Sequence, residues 1–273
     1  MIKVEAKDLS IQQISESGQC FRLNRITEER YALVAFDKYL EIEQRGGELL
    51  FSCTQGEYDA VWRQYFDMDN DYELYRNAVS AEDAYLLKAV SFGSGIRILR
   101  QDVWEMLISF IISQQNNIKR IRGCIETLCE RYGTRVIPGD AESTAVYYTF
   151  PDVQALAQVS EEELRACNLG YRSRYIVETT NSILSGEVDL EAVKKMDYRQ
   201  AKDELLKLCG VGEKVAECIC LFGLHHMDAF PVDTHIRKAM NERYPMGFPF
   251  EKYHGYAGVM QQYIFYYDLK NMT

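Results

Sequence analysis

No run of about 18 apolar residues occurs in this chain of 273 residues, so a membrane-spanning helix is not expected. The opening, MIKVEAKDLS, is charged and has no apolar signal core, which argues against secretion. The eight cysteines form no CxxC pair and no regular framework, so they read as reduced thiols in a cytoplasmic protein rather than as disulfides. The four histidines include none at ligand spacing to a cysteine pair, and structural zinc is not expected. Internal repeats and low-complexity segments are also missing. Excess positive charge is missing too: the net charge is −10, which counts against a simple electrostatic DNA binder. The distribution softens that objection. Residues 1–95 carry 10 Lys and Arg against 17 Asp and Glu, net −7, whereas residues 96–273 carry 21 against 24, net −3. Acid is concentrated in EYDAVWRQYFDMDNDYELY (57–75), which reads as solvated surface. A local basic strip still suffices for a few phosphate contacts.

What is present falls into two parts. In residues 1–95 the pattern is β-rich. Tyr31 to Phe36 is an apolar run, Leu40 and Ile42 alternate with Glu41 and Glu43, Gly46-Gly47 marks a turn, and Leu49, Phe51 and Cys53 alternate again, as in a β-hairpin. Helices are expected over 57–66 and 81–90. From about residue 96 the period becomes helical. DVWEMLISFIISQQ (102–115) is apolar on most sides, and IKRIRGCIETLCERYG (118–133) ends at Gly133 as a C-cap. SEEELRACNLG (160–170) begins with a capping box, Ser160 and Glu163. Helices are likewise expected in YRQAKDELLKL, EKVAECICLF, THIRKAMNER and YAGVMQQYIFYYDL. The organisation is α+β: a β-containing domain over 1–95 and a larger helical domain over 96–273.

The most informative stretch is LLKLCGVGEKVAECICLFG (205–223). Two amphipathic helices flank Gly210-Val211-Gly212, whose glycines permit a tight turn. The free N–H groups of the second helix form a ready phosphate site without base preference. An ordinary helical hairpin would read the same. Lys214 lies in the first helical turn, where a cation opposes the helix dipole. It is either a solvated surface lysine or a partly desolvated amine suited to Schiff-base attack, and the residues alone leave both open. In FPVDTHIRKAMNER (230–243), Asp233 reads as a helix N-cap. A carboxylate tied down by helix amides can also point into a cleft and stabilise positive charge on a sugar. His235, in the following turn, either donates to a phosphate or packs.

The hairpin lysine followed by this segment resembles the helix-hairpin-helix (HhH-GPD) DNA glycosylase superfamily. SGQCFR (17–22), RQDVWEMLISFIISQQNNIKRI (100–121), NLGYRSRY (168–175), CGVGEKVAECICL (209–221), FPVDTHI (230–236) and YAGVMQQYIFYYDL (256–269) resemble the 8-oxoguanine glycosylase group within it. The motifs stand in the expected order over nearly the whole chain. The resemblance implies a twisted antiparallel sheet like half of the TATA-binding protein, then a helical domain, with the active site between them. It implies a bifunctional glycosylase and lyase, free of cofactor and catalytic metal, acting as a monomer on double-stranded DNA containing oxidised guanine. It would be cytoplasmic and, if bacterial, nucleoid-associated when on DNA.

On the matching positions, the resemblance makes Lys214 the nucleophile and Asp233 the acid that supports charge development. Cys218, one turn beyond Lys214, would touch one face of the extruded base, and Phe265 would stack on the other. Gln261, four residues before Phe265, would meet the purine's Watson–Crick edge with an amide that both donates and accepts. Without the resemblance, Gln261 and Phe265 read as part of a half-buried helix. The Gly18 carbonyl would accept from the N7–H that distinguishes oxidised guanine from guanine. Tyr171 would fill the hole left by the flipped base, and Arg120 and Arg172 would read the orphaned cytosine. The group usually carries three asparagines after the buried helix. Here the run is Gln115-Asn116-Asn117, which places a longer amide at the lesion gap. No cysteine follows Cys220, so the four-cysteine iron–sulfur loop of endonuclease III-like relatives is not expected. Two alternatives remain: a related glycosylase with another lesion preference, and a non-catalytic DNA-binding module on the same hairpin.

Overall fold

The structure, a computed structural model, describes residues 1–136 and 146–271, so 137–145 and 272–273 of the expected helical range lie outside the described residues. Strands β1 (Ile2–Glu5), β2 (Leu23–Arg25), β3 (Arg30–Ala35), β4 (Lys38–Arg45) and β5 (Glu48–Phe51) form an antiparallel sheet in the order β1-β5-β4-β3-β2. The alternating residues set its register: Tyr31 pairs with Ile42, Leu33 with Leu40, and Ile42 with Phe51. Gly46 turns the β4–β5 hairpin at φ +57°, in the left-handed region. Helix α1 (Ile11–Glu16), capped by Ser10, packs Ile11 and Ile14 into the sheet core. The helix expected over 57–66 is present in three joined pieces: α2 (Gln55–Glu57), a π-helical turn (Tyr58–Trp62) and α3 (Arg63–Tyr65). These deliver Trp62 and Phe66 to the same core.

Helices follow. The first are α4 (Tyr72–Asn77), α5 (Ala84–Phe92), α6 (Val103–Ser113) and α7 (Ile118–Tyr132). A short strand pair, β6 (Arg135–Val136) and β7 (Tyr147–Tyr148), precedes α8 (Val153–Ala157), α9 (Glu161–Arg165), α10 (Arg172–Leu184) and α11 (Leu190–Val193). The chain then forms α12 (Tyr198–Leu205), α13 (Glu213–Phe222), α14 (Thr234–Arg243), a 3-10 turn (Phe250–Tyr253) and α15 (Ala257–Asn271). Helix α6 is buried from Val103 to Ile112 and forms the central rod. Tyr72, Leu86, Ala89 and Val90 of α4 and α5 share one apolar core with Ile108, Ile219 and Tyr263. The larger core therefore recruits chain from before residue 96. The helix expected over 160–170 stops at Arg165, because Asn168 (φ +62°) and Gly170 (φ +60°) turn left-handed and aim the chain into α10. No helix among the described residues is long and apolar enough to cross a membrane.

Much of the acid has structural work. Asp71, Asp83, Asp102, Asp152, Asp189, Asp197 and Asp233 each accept a first-turn N–H as N-caps, a role worth about 1 kcal/mol apiece. The reading of 57–75 as solvated acid needs correction at Asp67, which is 3% exposed. Its carboxylate accepts from Asn70, Tyr72 and Arg100, and His225 Nε2 lies 3.5 Å away. Burial pushes this carboxyl up, but His225, Asn70 and Arg100 outweigh it and hold the group below the usual carboxylate range.

Candidate active site

The buried rod α6 ends at Gln114, and the chain turns at Gln115 with φ +47°. Asn117 then caps α7, its Oδ1 accepting from Arg120 N–H, while Asn116 Nδ2 donates to Ile112 O. Beside this turn lies the α12–α13 hairpin. Gly210 has φ +76°, and a Cβ there would stand 2.6 Å from the Tyr175 ring, so both conformation and space require glycine. Val211 is buried, and its N–H donates to Leu208 O, which closes the turn. Gly212 is the N-cap of α13 and supplies no side-chain acceptor, so the first-turn N–H groups are left for an external anion. Gln114 Nε2 donates to Gly210 O at 2.9 Å and ties the post-α6 turn to the hairpin.

Between these elements and α14–α15 is a cavity of about 810 Å³. Its wall brings together Gly18, Gln115, Asn116, Asn117, Gly212, Lys214, Asp233, His235 and Phe265, far apart in sequence. Lys214 Nζ lies 3.4 Å from Ser113 Oγ and 5.1 Å from the Phe110 ring centroid. Asp233 caps α14, with Oδ1 accepting from Ile236 N–H at 2.8 Å and no protein donor on Oδ2 among the described residues. His235 packs edge-on against Phe265, with ring centroids 6.0 Å apart. Gly18 has φ +72°, and a Cβ there would stand 3.1 Å from Phe265 Cε1, so the phenyl ring lies against the glycine backbone.

Three expected site residues stand differently. Cys218 is 3% exposed behind Lys214, and burial pushes its thiol up to about 11 despite the nearby lysine. Gln261 is also 3% exposed. Its Nε2 donates to Pro231 O and its Oε1 accepts from Gln262 Nε2. Neither lines the cavity, whose wall on that side is Phe265. Arg172 is 4% exposed, and its guanidinium donates to the carbonyls of Gln114, Gln115 and Leu169. In this form it braces the turn that carries Gln115 instead of offering free donors. Arg120 is exposed, with Nη2 3.5 Å from Asn168 O. Tyr171 is 43% exposed, with the Arg172 guanidinium 4.6 Å from its ring centroid. Tyr171, Arg120 and Arg172 stand outside the cavity wall.

Sequence reasoning missed several supports. Ser113 and Phe110 touch the lysine. Glu217, on α13, accepts from Tyr198 and from Phe230 N–H and pairs with Lys202 at 2.8 Å, joining the hairpin to the segment that leads to Asp233. These are nonlocal contacts, and only the Glu213/Glu217 spacing opposite a lysine-bearing helix hints at one of them.

Comparison with known proteins bears on this arrangement. The family model "8-oxoguanine DNA glycosylase, N-terminal domain" matches residues 1–107, and "HhH-GPD superfamily base excision DNA repair protein" matches residues 108–247. The N-glycosylase/DNA lyase of Saccharomyces cerevisiae is 30% identical over 271 residues, covering 89% of this chain and 70% of that protein. The Clostridium acetobutylicum 8-oxoguanine glycosylase/lyase, solved with double-stranded DNA containing cytosine opposite 8-oxoguanine, superposes with a TM-score of 0.91. It is 36% identical over 99% of this chain and 94% of that one. The Archaeoglobus fulgidus 3-methyladenine DNA glycosylase, at 21% identity and a TM-score of 0.77 over 98% of this chain and 99% of that one, shares the fold. The sheet domain, the glycine hairpin with its lysine and the two adjoining family models agree, and the chain belongs to the 8-oxoguanine DNA glycosylase family of HhH-GPD base excision repair proteins, the N-glycosylase/DNA lyases.

Proposed function

We propose that this chain, as a monomer, removes 8-oxoguanine from duplex DNA and then cuts the strand by β-elimination through a lysine Schiff base. The observation that carries the reading is the opening of two helix N-termini, with Lys214 and Asp233, onto one cavity shared with Gly18 and Phe265. The base must leave the stack, because its sugar C1′ is out of reach inside the duplex. As the C1′–N9 bond breaks, its electron pair leaves with the base, and the Asp233 carboxylate stabilises the positive charge on the sugar. The neutral Lys214 amine forms the C1′–Nζ bond and loses a proton. The ring oxygen departs as a hydroxyl, leaving an imine. Loss of a C2′ proton then expels the 3′ phosphate. The first-turn N–H groups that follow the Gly212 cap suit a phosphate, and the exposed Tyr171 suits the gap. The test is borohydride trapping on duplexes carrying 8-oxoguanine opposite each of the four bases. A covalent complex with 8-oxoguanine and none with guanine is expected, and equal trapping of both would sink the substrate assignment.

Two further outcomes are expected. Gly18→Ala adds a methyl at φ +72° and 3.1 Å from Phe265, so it strains the loop by about 1–2 kcal/mol and wedges the base slot. Excision of 8-oxoguanine should fall steeply while duplex affinity stays within a few-fold. Unchanged single-turnover excision would remove Gly18 from recognition. With no cysteine after Cys220, the purified protein should be colourless, lack acid-labile sulfide and keep full activity in EDTA. Activity that disappears in EDTA and returns with a metal would contradict this.

A further inference from the structure

Two residues on the last turn of α6 touch the amine of Lys214 and have no role in the chemistry above. Phe110 and Ser113 are three apart and share a helix face. The Ser113 hydroxyl donates to Phe110 O at 2.8 Å. Its one proton is thereby committed, and its remaining capacity is as an acceptor. Lys214 Nζ, 3.4 Å from Ser113 Oγ, is then the donor in that contact. Ser113 therefore fixes an N–H of the amine without competing for its lone pair. A serine whose own proton was free could donate to the neutral amine and block attack.

Phe110 supplies the second wall. Its ring centroid is 5.1 Å from Nζ, so the ring face attracts the ammonium at rest and can still meet an N–H of the neutral amine. The ring cannot swing aside. It stacks on Phe222 with centroids 5.5 Å apart, meets Phe21 edge-on at 5.6 Å, and is 3% exposed. A long, flexible side chain is thus held in one direction by a fixed ring and a fixed acceptor, both on the most buried helix of the fold. Ser113, Phe110 and Lys214 all line the cavity, so the amine is restrained at its edge.

We propose that Ser113 and Phe110 are positioning residues for Lys214, with Ser113 taking an N–H so that the lone pair faces the sugar. This rests on reading Lys214 as the nucleophile. Misplacing a nucleophile by about 1 Å costs on the order of 10²-fold in rate. Ser113→Ala is therefore expected to slow single-turnover imine trapping on an 8-oxoguanine duplex by about 10- to 100-fold, with the duplex Kd unchanged. Ser113→Thr keeps the hydroxyl and should restore most of the rate. Phe110→Leu keeps an apolar wall without the ring quadrupole and should also slow trapping at unchanged Kd.

Thermal melting and a Lys214→Gln control belong in the same series. Trapping by Ser113→Ala at the full rate, or loss in Ser113→Thr as deep as in Ser113→Ala, would overturn the proposal. So would a rate loss in Ser113→Ala matched by weaker duplex binding. Trapping retained by Lys214→Gln would instead overturn the nucleophile assignment, so the two failures are distinguishable.

Discussion

Lys214→Gln is expected to bind lesion duplex within a few-fold of the parent protein and to yield no borohydride cross-link at all. Glutamine has nearly the length of the lysine stem and an amide that can still donate to Ser113, so the cavity wall is preserved. What is lost is the amine proposed to form the bond to C1′. The cation–π contact with Phe110 is lost as well, a stability cost of about 0.5–2 kcal/mol that a folded protein of this size tolerates. Gel-shift affinity, melting temperature and trapping on the same preparation decide the matter. A cross-link that survives would show that another amine is the nucleophile.

The second large effect is expected at Arg172, and it is primarily one of stability. Arg172→Ala removes the donor shared by the carbonyls of Gln114, Gln115 and Leu169, and empties the buried space that the guanidinium fills, although the turn itself is half-buried at Gln114 and exposed at Gln115. Water can reach part of what is freed, so a loss of roughly 1–3 kcal/mol is expected. Excision should slow on every duplex, whatever base stands opposite. Arg172→Lys recovers the charge but not the planar fork that reaches three carbonyls, and should rescue only in part. Arg120→Ala is the contrasting case. Arg120 is exposed and weakly held, so its loss should leave stability unchanged and relax the preference for cytosine by roughly 1–3 kcal/mol. Single-turnover rates on all four opposite bases, with melting curves, separate the two. If Arg172→Ala melts like the parent and relaxes base preference, its guanidinium reads the base and the bracing role is wrong. A uniform slowing by Arg120→Ala would make it a phosphate contact instead.

The local rules were legible wherever the signal was local. The β3–β4–β5 alternation, the Ser160–Glu163 capping box, the Asp233 cap and the glycine hairpin all stand where the residues indicate, because each depends on neighbours a few positions away. Strand β1 was missed: MIKVE is half-exposed and reads first as charge, and its strand character comes from pairing with β5. Asp67 was read as surface because its partners Arg100 and His225 are 33 and 158 positions away. In the site, residue types pointed to Lys214 and Asp233, and the motif order supplied Gly18 and Phe265. The set-back of Cys218 and Gln261 was not legible. Cys218 is buried in the core with α13, and Gln261 is taken up by Pro231 O and Gln262, the first a contact 30 positions away. Arg172 looked like a free reader because the chain alone does not show that a left-handed Gln115 presents carbonyls to it.

Gln114 joins the hairpin to the start of α10. Its side chain holds the hairpin at Gly210, and its carbonyl receives Arg172 and, at 3.5 Å, the Tyr171 hydroxyl. A single amide thus ties the turn at Gly210 to the exposed ring of Tyr171. On the proposed reading, the part that grips a phosphate and the part that enters the gap are not independent fingers: they share one anchor, so a displacement of either is felt at the other.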